Sequence, residues 1–192
     1  AALDMAFADA MVAVAAAHRD EPTVQALAAE ALMNTQPWDY WEADGVTPKG
    51  RADEIVALLE RALALDPEHP GAAHLYIHAV EASAKPERAE PYADRLGDAM
   101  PAAGHLVHMP SHIYYRVGRY IDSLDANRAA VAADERFFEQ VPRGDGIYAY
   151  GYYPHNVHFL LVSAQMAGSG EDALAAAEKL QEVMSDDAAE RW

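Results

Sequence analysis

The sequence predicts an all-α chain built from antiparallel helix pairs stacked side by side. Three observations predict it. Apolar residues make up 52% of the 192 positions and many of them are alanine, the residue that best favours helix and lets helices approach closely. Apolar positions recur at helical spacing between proline and glycine punctuation. Landmarks also repeat: Pro67 and Pro101 lie 34 residues apart, and Ala62, Leu96 and Ala130 fall at 34-residue intervals. Leu180 follows Ala130 by 50 residues, the same interval that separates Gly118 from Gly168. A fixed period of this length is the mark of a repeat array.

The elements follow in order. Residues 1–18 read as one helix and 22–33 as a second, opened by "EPTV". "RADEIVALLERALALDPEHP" is an amphipathic helix over 51–66 that ends in an Asp-Pro turn and pairs with 22–33. "PGAAHLYIHAVEAS" is opened by Pro70, and "KPERAEPYADRLGDAMP" is opened by Pro86 and closed before Pro101. "GHLVHMPSHIYYRVG" and "RYIDSLDANRAAVAADE" form the next pair, over 104–135. Pro110 lacks a backbone donor and obstructs the preceding turn, so the first of these two helices should kink or restart there. "YPHNVHFLLVSAQMAG" and "SGEDALAAAEKLQEVM" form the last pair. Two insertions interrupt the period, at 34–50 and 136–153, and both are rich in aromatic and turn residues. Loops of this length are often functional, so Trp38, Trp41, Tyr148 and Tyr150 either cap apolar helix ends or wall a ligand site.

The helix pairs, the glycine turn and the small-residue spacing of "VGRYIDSLDANRAAVAAD" and "AGSGEDALAAAEKL" resemble the tetratricopeptide repeat family over residues 51–184. The histidine-bearing stretches look like a bacterial branch of it without a settled function. Pro110 and the two insertions depart from the family pattern. The resemblance implies a right-handed superhelical solenoid, with 1–192 as a single repeat domain. In that family the first helix of each pair lines a concave groove. The chain opens inside a helix, has no starting methionine and stops at "AAERW" without an end signal, which is expected of a piece of a longer chain.

The repeat register also organises the histidines. His74, His108 and His158 are separated by 34 and 50 residues, His78 and His112 by 34, and His105 and His155 by 50. Seven histidines thus occupy three equivalent positions on three successive first helices, while His18 and His69 read as surface or turn residues. His74 and His78 are spaced i, i+4, as are His108 and His112, and each such pair shares a helix face. Glu81 continues the His78 stripe. The resemblance turns all seven imidazoles and Glu81 into one groove. Neighbouring helix axes lie about 8–10 Å apart, so imidazoles from two helices can meet over one ion.

Imidazole is a good neutral ligand for zinc, copper, nickel or iron. His74, His78, His108 and His112 are the expected metal ligands, with zinc or copper as the expected ion. Glu81, His105, His155, His158, Tyr115, Arg116, Tyr153 and Asn156 are the expected groove residues around them. "HLYIH" has the spacing of a zinc-protease helix, but Leu75 stands where the glutamate would follow, so that motif is absent. Ser111 lacks the glycines of a nucleophile elbow, and Met109 reads as core.

The balance of 14 basic against 31 acidic residues gives a net charge of −17. Such a surface repels phosphate backbones, which argues against nucleic acid, and attracts cations. Without cysteine, neither disulfides nor thiolate metal sites can form. No apolar run approaches a membrane span, and the first residues lack the basic region of a signal peptide. The compartment stays open between bacterial cytoplasm and periplasm. No phosphate loop, dinucleotide fingerprint or calcium loop is present. The expected function is a binding scaffold whose histidine-rich groove holds a transition metal or a small polar ligand. The alternatives are a peptide- or protein-binding adaptor without metal, a metal-dependent hydrolase or oxidase, and a structural repeat domain.

Overall fold

The computed structural model describes residues 2–142, 144 and 146–184, and among these the regular elements are all helices, with a single isolated β-bridge between Trp41 and Pro48. The chain divides into two compact units, Ala1–Leu96 and Gly97–Trp192.

The first unit begins with α1 (Ala2–Ala17) and α2 (Pro22–Met33). Ala8 and Ala15, seven residues apart, are the buried positions of α1, so two turns of the helix present only methyl groups where α2 packs closely. Gln25 closes the α1–α2 turn, its side-chain amide donating to the Ala15 and His18 carbonyls at 2.9 and 2.8 Å. In α3 (Ala52–Leu65) the buried residues Ile55, Leu59, Ala62 and Leu63 form one helical stripe. Asp66 is extended ahead of Pro67, as a residue before proline must be, and ends the helix there. Pro70 occupies the first position of α4 (Pro70–Val80). His69 caps α4: its Nδ1 accepts from the Ala72 amide at 3.0 Å, so the proton sits on Nε2, 3.0 Å from the Thr23 hydroxyl. The expectation of a turn histidine at 69 gains a specific role from this.

The insertion at 34–50 folds back on α4. Asp44 accepts from the Val46 and Thr47 amides at 2.8 Å each, the Ala84 amide donates to the Gly45 carbonyl, and the Trp41 indole donates to the Ala79 carbonyl at 2.7 Å. Trp41 thereby caps an orphan carbonyl at the end of α4, whereas Trp38 is 69% exposed. Beyond α4, Pro86–Ala89 forms a 3₁₀ turn, and the regular α5 begins only at Glu90 (Glu90–Ala99).

In the second unit the stretch expected as one helix is two: α6 (Gly104–His108) and α7 (Pro110–Val117), separated at Met109. The missing donor of Pro110 breaks the helix where the sequence places it. α7 stops at Gly118 and α9 (Tyr153–Ala167) stops at Gly168, with φ of 84° and 75°. These left-handed caps suit glycine, and they are the two glycines 50 residues apart.

Between them runs α8 (Tyr120–Gln140), five residues longer than the sequence suggests. Nothing in "RFFEQ" breaks a helix, and the chain leaves it only at Val141, extended before Pro142. The first part of the expected insertion is therefore helix. Its last part, Tyr148–Tyr152, is a π turn that runs directly into α9. α10 (Gly170–Val183) packs on α9, and Val131, Tyr153, Val157 and Val183 form a core that Phe138, Leu160 and Leu180 extend.

Candidate metal centre

The site lies in the second unit, where α6 and α7 pack on α8 and α8 packs on α9. The break at Met109 leaves His108 and His112 one turn apart across the interruption, and α9 brings His155 to them. His108 is fully buried, His112 is 6% exposed and His155 is half-buried. His108 Nε2 lies 2.8 Å from His112 Nε2 and 3.1 Å from His155 Nε2. One nitrogen from each of the three rings falls within 4.8 Å of the other two. Phe159, one turn along α9 from His155, packs on all three imidazoles with ring centroids 4.5 to 5.0 Å away.

The tautomer of His108 follows from its neighbours. The Ser123 main-chain carbonyl can only accept, and Asn127 Nδ2 lies 2.8 Å from it, so the amide nitrogen of Asn127 faces that way. Asn127 Oδ1 then faces His108 Nδ1 at 2.6 Å, so that ring nitrogen carries the proton and donates it. The lone pair of His108 is left on Nε2, aimed at the other two imidazoles. Ser111 Oγ donates to the same Asn127 oxygen at 3.3 Å, and Ser163 Oγ lies 3.2 Å from Asn127 Nδ2 and 2.8 Å from Ser123 Oγ. This buried polar seam holds the orientation. Burial, and then the nearby His112 and His155 rings, hold the His108 imidazole well below its ordinary titration range, so it is neutral and ready to coordinate.

Three convergent imidazole nitrogens suit a transition ion. Zinc–nitrogen bonds of about 2.0–2.1 Å in tetrahedral geometry separate two ligand nitrogens by about 3.3 Å, close to the spacings around His108 Nε2. Three protein ligands leave a fourth position for water or another molecule, the pattern of catalytic zinc sites.

The other expected site residues occur in both units. In the first unit, the His74 and His78 rings meet at 5.0 Å, His78 Nδ1 sits 3.2 Å from Glu81 Oε1, and Trp38 packs edge-on against His78 at 4.9 Å. In the second unit, His105 packs against Tyr152 with ring centroids 4.4 Å apart, and its ring centre is 6.1 Å from that of His108. His158 is exposed. It follows His155 by three residues, about 60° to one side around the helix, while Phe159 lies about 40° to the other, and α9 turns the Phe159 side inward. Tyr115 is half-buried between Phe159 and Tyr120, and Arg116 is exposed.

Tyr153 belongs to the core, with its hydroxyl donating to Glu135 at 3.1 Å. Asn156 is fully buried and donates to Asp134 Oδ2 at 2.8 Å, while its own Oδ1 has no hydrogen-bond partner among the described residues. Ser111 is fully buried in the seam, and Met109 is fully buried in the core.

Sequence reasoning passed over Asn127, Ser123, Ser163, Phe159 and Asp134. The available signal was on α8. Ser123, Asn127 and Asp134 recur at helical spacing beside Leu124, Ala130 and Val131, so polar groups stand on a face that is otherwise core.

No helix among the described residues is long and apolar enough to cross a membrane. No protein-family model matches this chain, and no curated protein matches it.

Proposed function

We propose that this chain is a helix-pair scaffold that holds a transition-metal ion, zinc or copper, on His108, His112 and His155. One observation carries the reading: three imidazole nitrogens converge around the buried lone pair of His108, whose tautomer Asn127 sets from behind. A second polar group orienting a ligand imidazole is the usual companion of a metal site. The sequence register supports the same set, because the triad takes one histidine from each of the three equivalent repeat positions. His74, His78 and Glu81 belong to the first unit and are not part of this proposed ligand set.

The scaffold is a stack of helix pairs of the tetratricopeptide type. Packing of α2 on both α3 and α4, and of α6 on both α8 and α9, supports this, since these two helices each touch two later helices of their own unit. The partner in the fourth position is a small polar ligand, and a metal-assisted hydrolysis is the chemistry such an open position allows. A peptide-binding adaptor without metal has less support, because the best-organised polar groups face one another inside the unit.

Elemental analysis by mass spectrometry on untagged protein tests the proposal. About one zinc or copper per chain is expected, and a His108→Ala, His155→Ala double variant that still gives a helical circular dichroism spectrum should lose it. Protein that neither retains nor takes up zinc or copper under those conditions rejects the reading.

A further inference from the structure

The central one of the three proposed ligands, His108, is backed by a neutral group. His108 Nδ1 donates to a carboxamide, Asn127 Oδ1, at 2.6 Å, and not to a carboxylate. A carboxylate in that place would make the imidazole more basic and lend the centre negative charge. The rest of the seam is neutral as well: Ser111, Ser123 and Ser163 hydroxyls and the Ser123 carbonyl. Phe159 packs against all three rings. The groups acting most strongly on His108 are the other imidazoles and Asn127, with no carboxylate among them. Asp134 is two turns further along α8, where its oxygens accept from Tyr148 and Asn156.

We infer that the open position of this centre takes a small anion, because three imidazoles coordinate as neutral donors and the amide behind His108 adds no charge, so the proposed ligand set itself brings no negative charge to a divalent ion. The inference rests on the proposed metal site. A divalent charge held by neutral donors in a poorly solvated setting is strongly unfavourable until an anion joins it. Hydroxide, a carboxylate or an oxyanion of similar size satisfies this condition, and each binds through one oxygen. The overall charge of −17 acts the opposite way at long range, concentrating cations and repelling anions. Anion affinity therefore reports the local charge of the centre.

The experiment uses the full chain loaded with cobalt(II), whose visible bands report its coordination, and azide as the probe anion. Azide at millimolar concentration should shift the bands with one saturable site per chain. In Asn127→Asp, the added negative charge should hold cobalt(II) at least as tightly and weaken azide binding tenfold or more. The azide titration of the unaltered chain needs no substitution, so the inference stands or falls even if that variant fails to fold. Bound cobalt(II) whose spectrum ignores azide up to high concentration overturns the inference and leaves the metal site intact. A chain that binds no cobalt(II) overturns the metal site and the inference together.

Discussion

His108 is a fully buried imidazole whose charged form is disfavoured by burial and by the neighbouring rings. Its folded-state pKa lies below the ordinary 6.5. The unfolded chain takes up a proton near that value and the folded chain does not. The contribution of His108 to stability is therefore fully present above pH 6.5 and is lost as pH falls below it, by at most about 1.4 kcal/mol per pH unit. Urea titrations of metal-free protein at pH 7.5 and 5.5 should show this loss, and His108→Phe should flatten the slope. Asn127 makes a second residue-scale prediction. Asn127→Ala removes the acceptor that holds the His108 tautomer and should weaken zinc binding about 10- to 100-fold. Competition with a chromophoric chelator reads this directly, and unchanged affinity would show that Asn127 has no hold on the ligand.

At the scale of elements, α8 and α9 are joined by two polar rungs. Asn127 meets Ser163 and Asp134 meets Asn156, seven residues apart on each helix in opposite directions. Asp134 also ties in the insertion, accepting from the Tyr148 hydroxyl at 2.5 Å, and it fits only because residue 104 has no side chain. A Cβ on Gly104 would come 1.9 Å from Asp134 Oδ1 and 3.0 Å from the Ala130 carbonyl. Gly104→Ala should therefore force α6 away from α8 and cost about 1–3 kcal/mol, visible as a lower melting temperature.

Burial raises the Asp134 carboxyl above its ordinary value of 3.8. An acid with a raised folded-state pKa holds its proton more tightly in the folded chain. Its penalty applies at neutral pH and is relieved as pH falls through the raised value toward 3.8. Asp134→Asn removes that charge, and the amide of Asn156, whose Oδ1 is unpartnered, can turn to accept from the new nitrogen. The variant should match the parent within about 1 kcal/mol at pH 7 and lose the acid-side gain. A large loss of stability at pH 7, read by the same urea titrations, would contradict this account.

For the whole molecule, all three proposed ligands lie in the unit Gly97–Trp192. An ion that binds only the folded chain stabilises it by about 2.7 kcal/mol at a hundredfold excess over its dissociation constant. Hydrogen exchange with and without zinc should show added protection over 104–112 and 153–160. The helices α1 to α3, in the other unit, should be unchanged. Equal protection throughout, or none, would contradict a local site.

The helical class and the break at Pro110 were legible in the sequence because each depends on neighbours within a few residues. Proline geometry, glycine caps and helical periodicity act locally. The register of the histidines was legible for the same reason. It put His108, His112 and His155 each on one of three equivalent positions and counted His108 and His112 among the ligands, though it placed His155 only in the surrounding groove. Which imidazoles meet depends on how α6, α7 and α9 rotate about α8, and that is decided by side chains far apart in sequence. His158 shares the register with His108 and still faces solvent, because a difference of three residues moves it 60° around α9. Asn127 is ambiguous in the sequence: it shares a helical face with core residues, yet an asparagine reads as polar surface until α9 covers it. Local stereochemistry thus determined the helices and their order, while long-range packing alone decided which polar atoms left water and what they faced there.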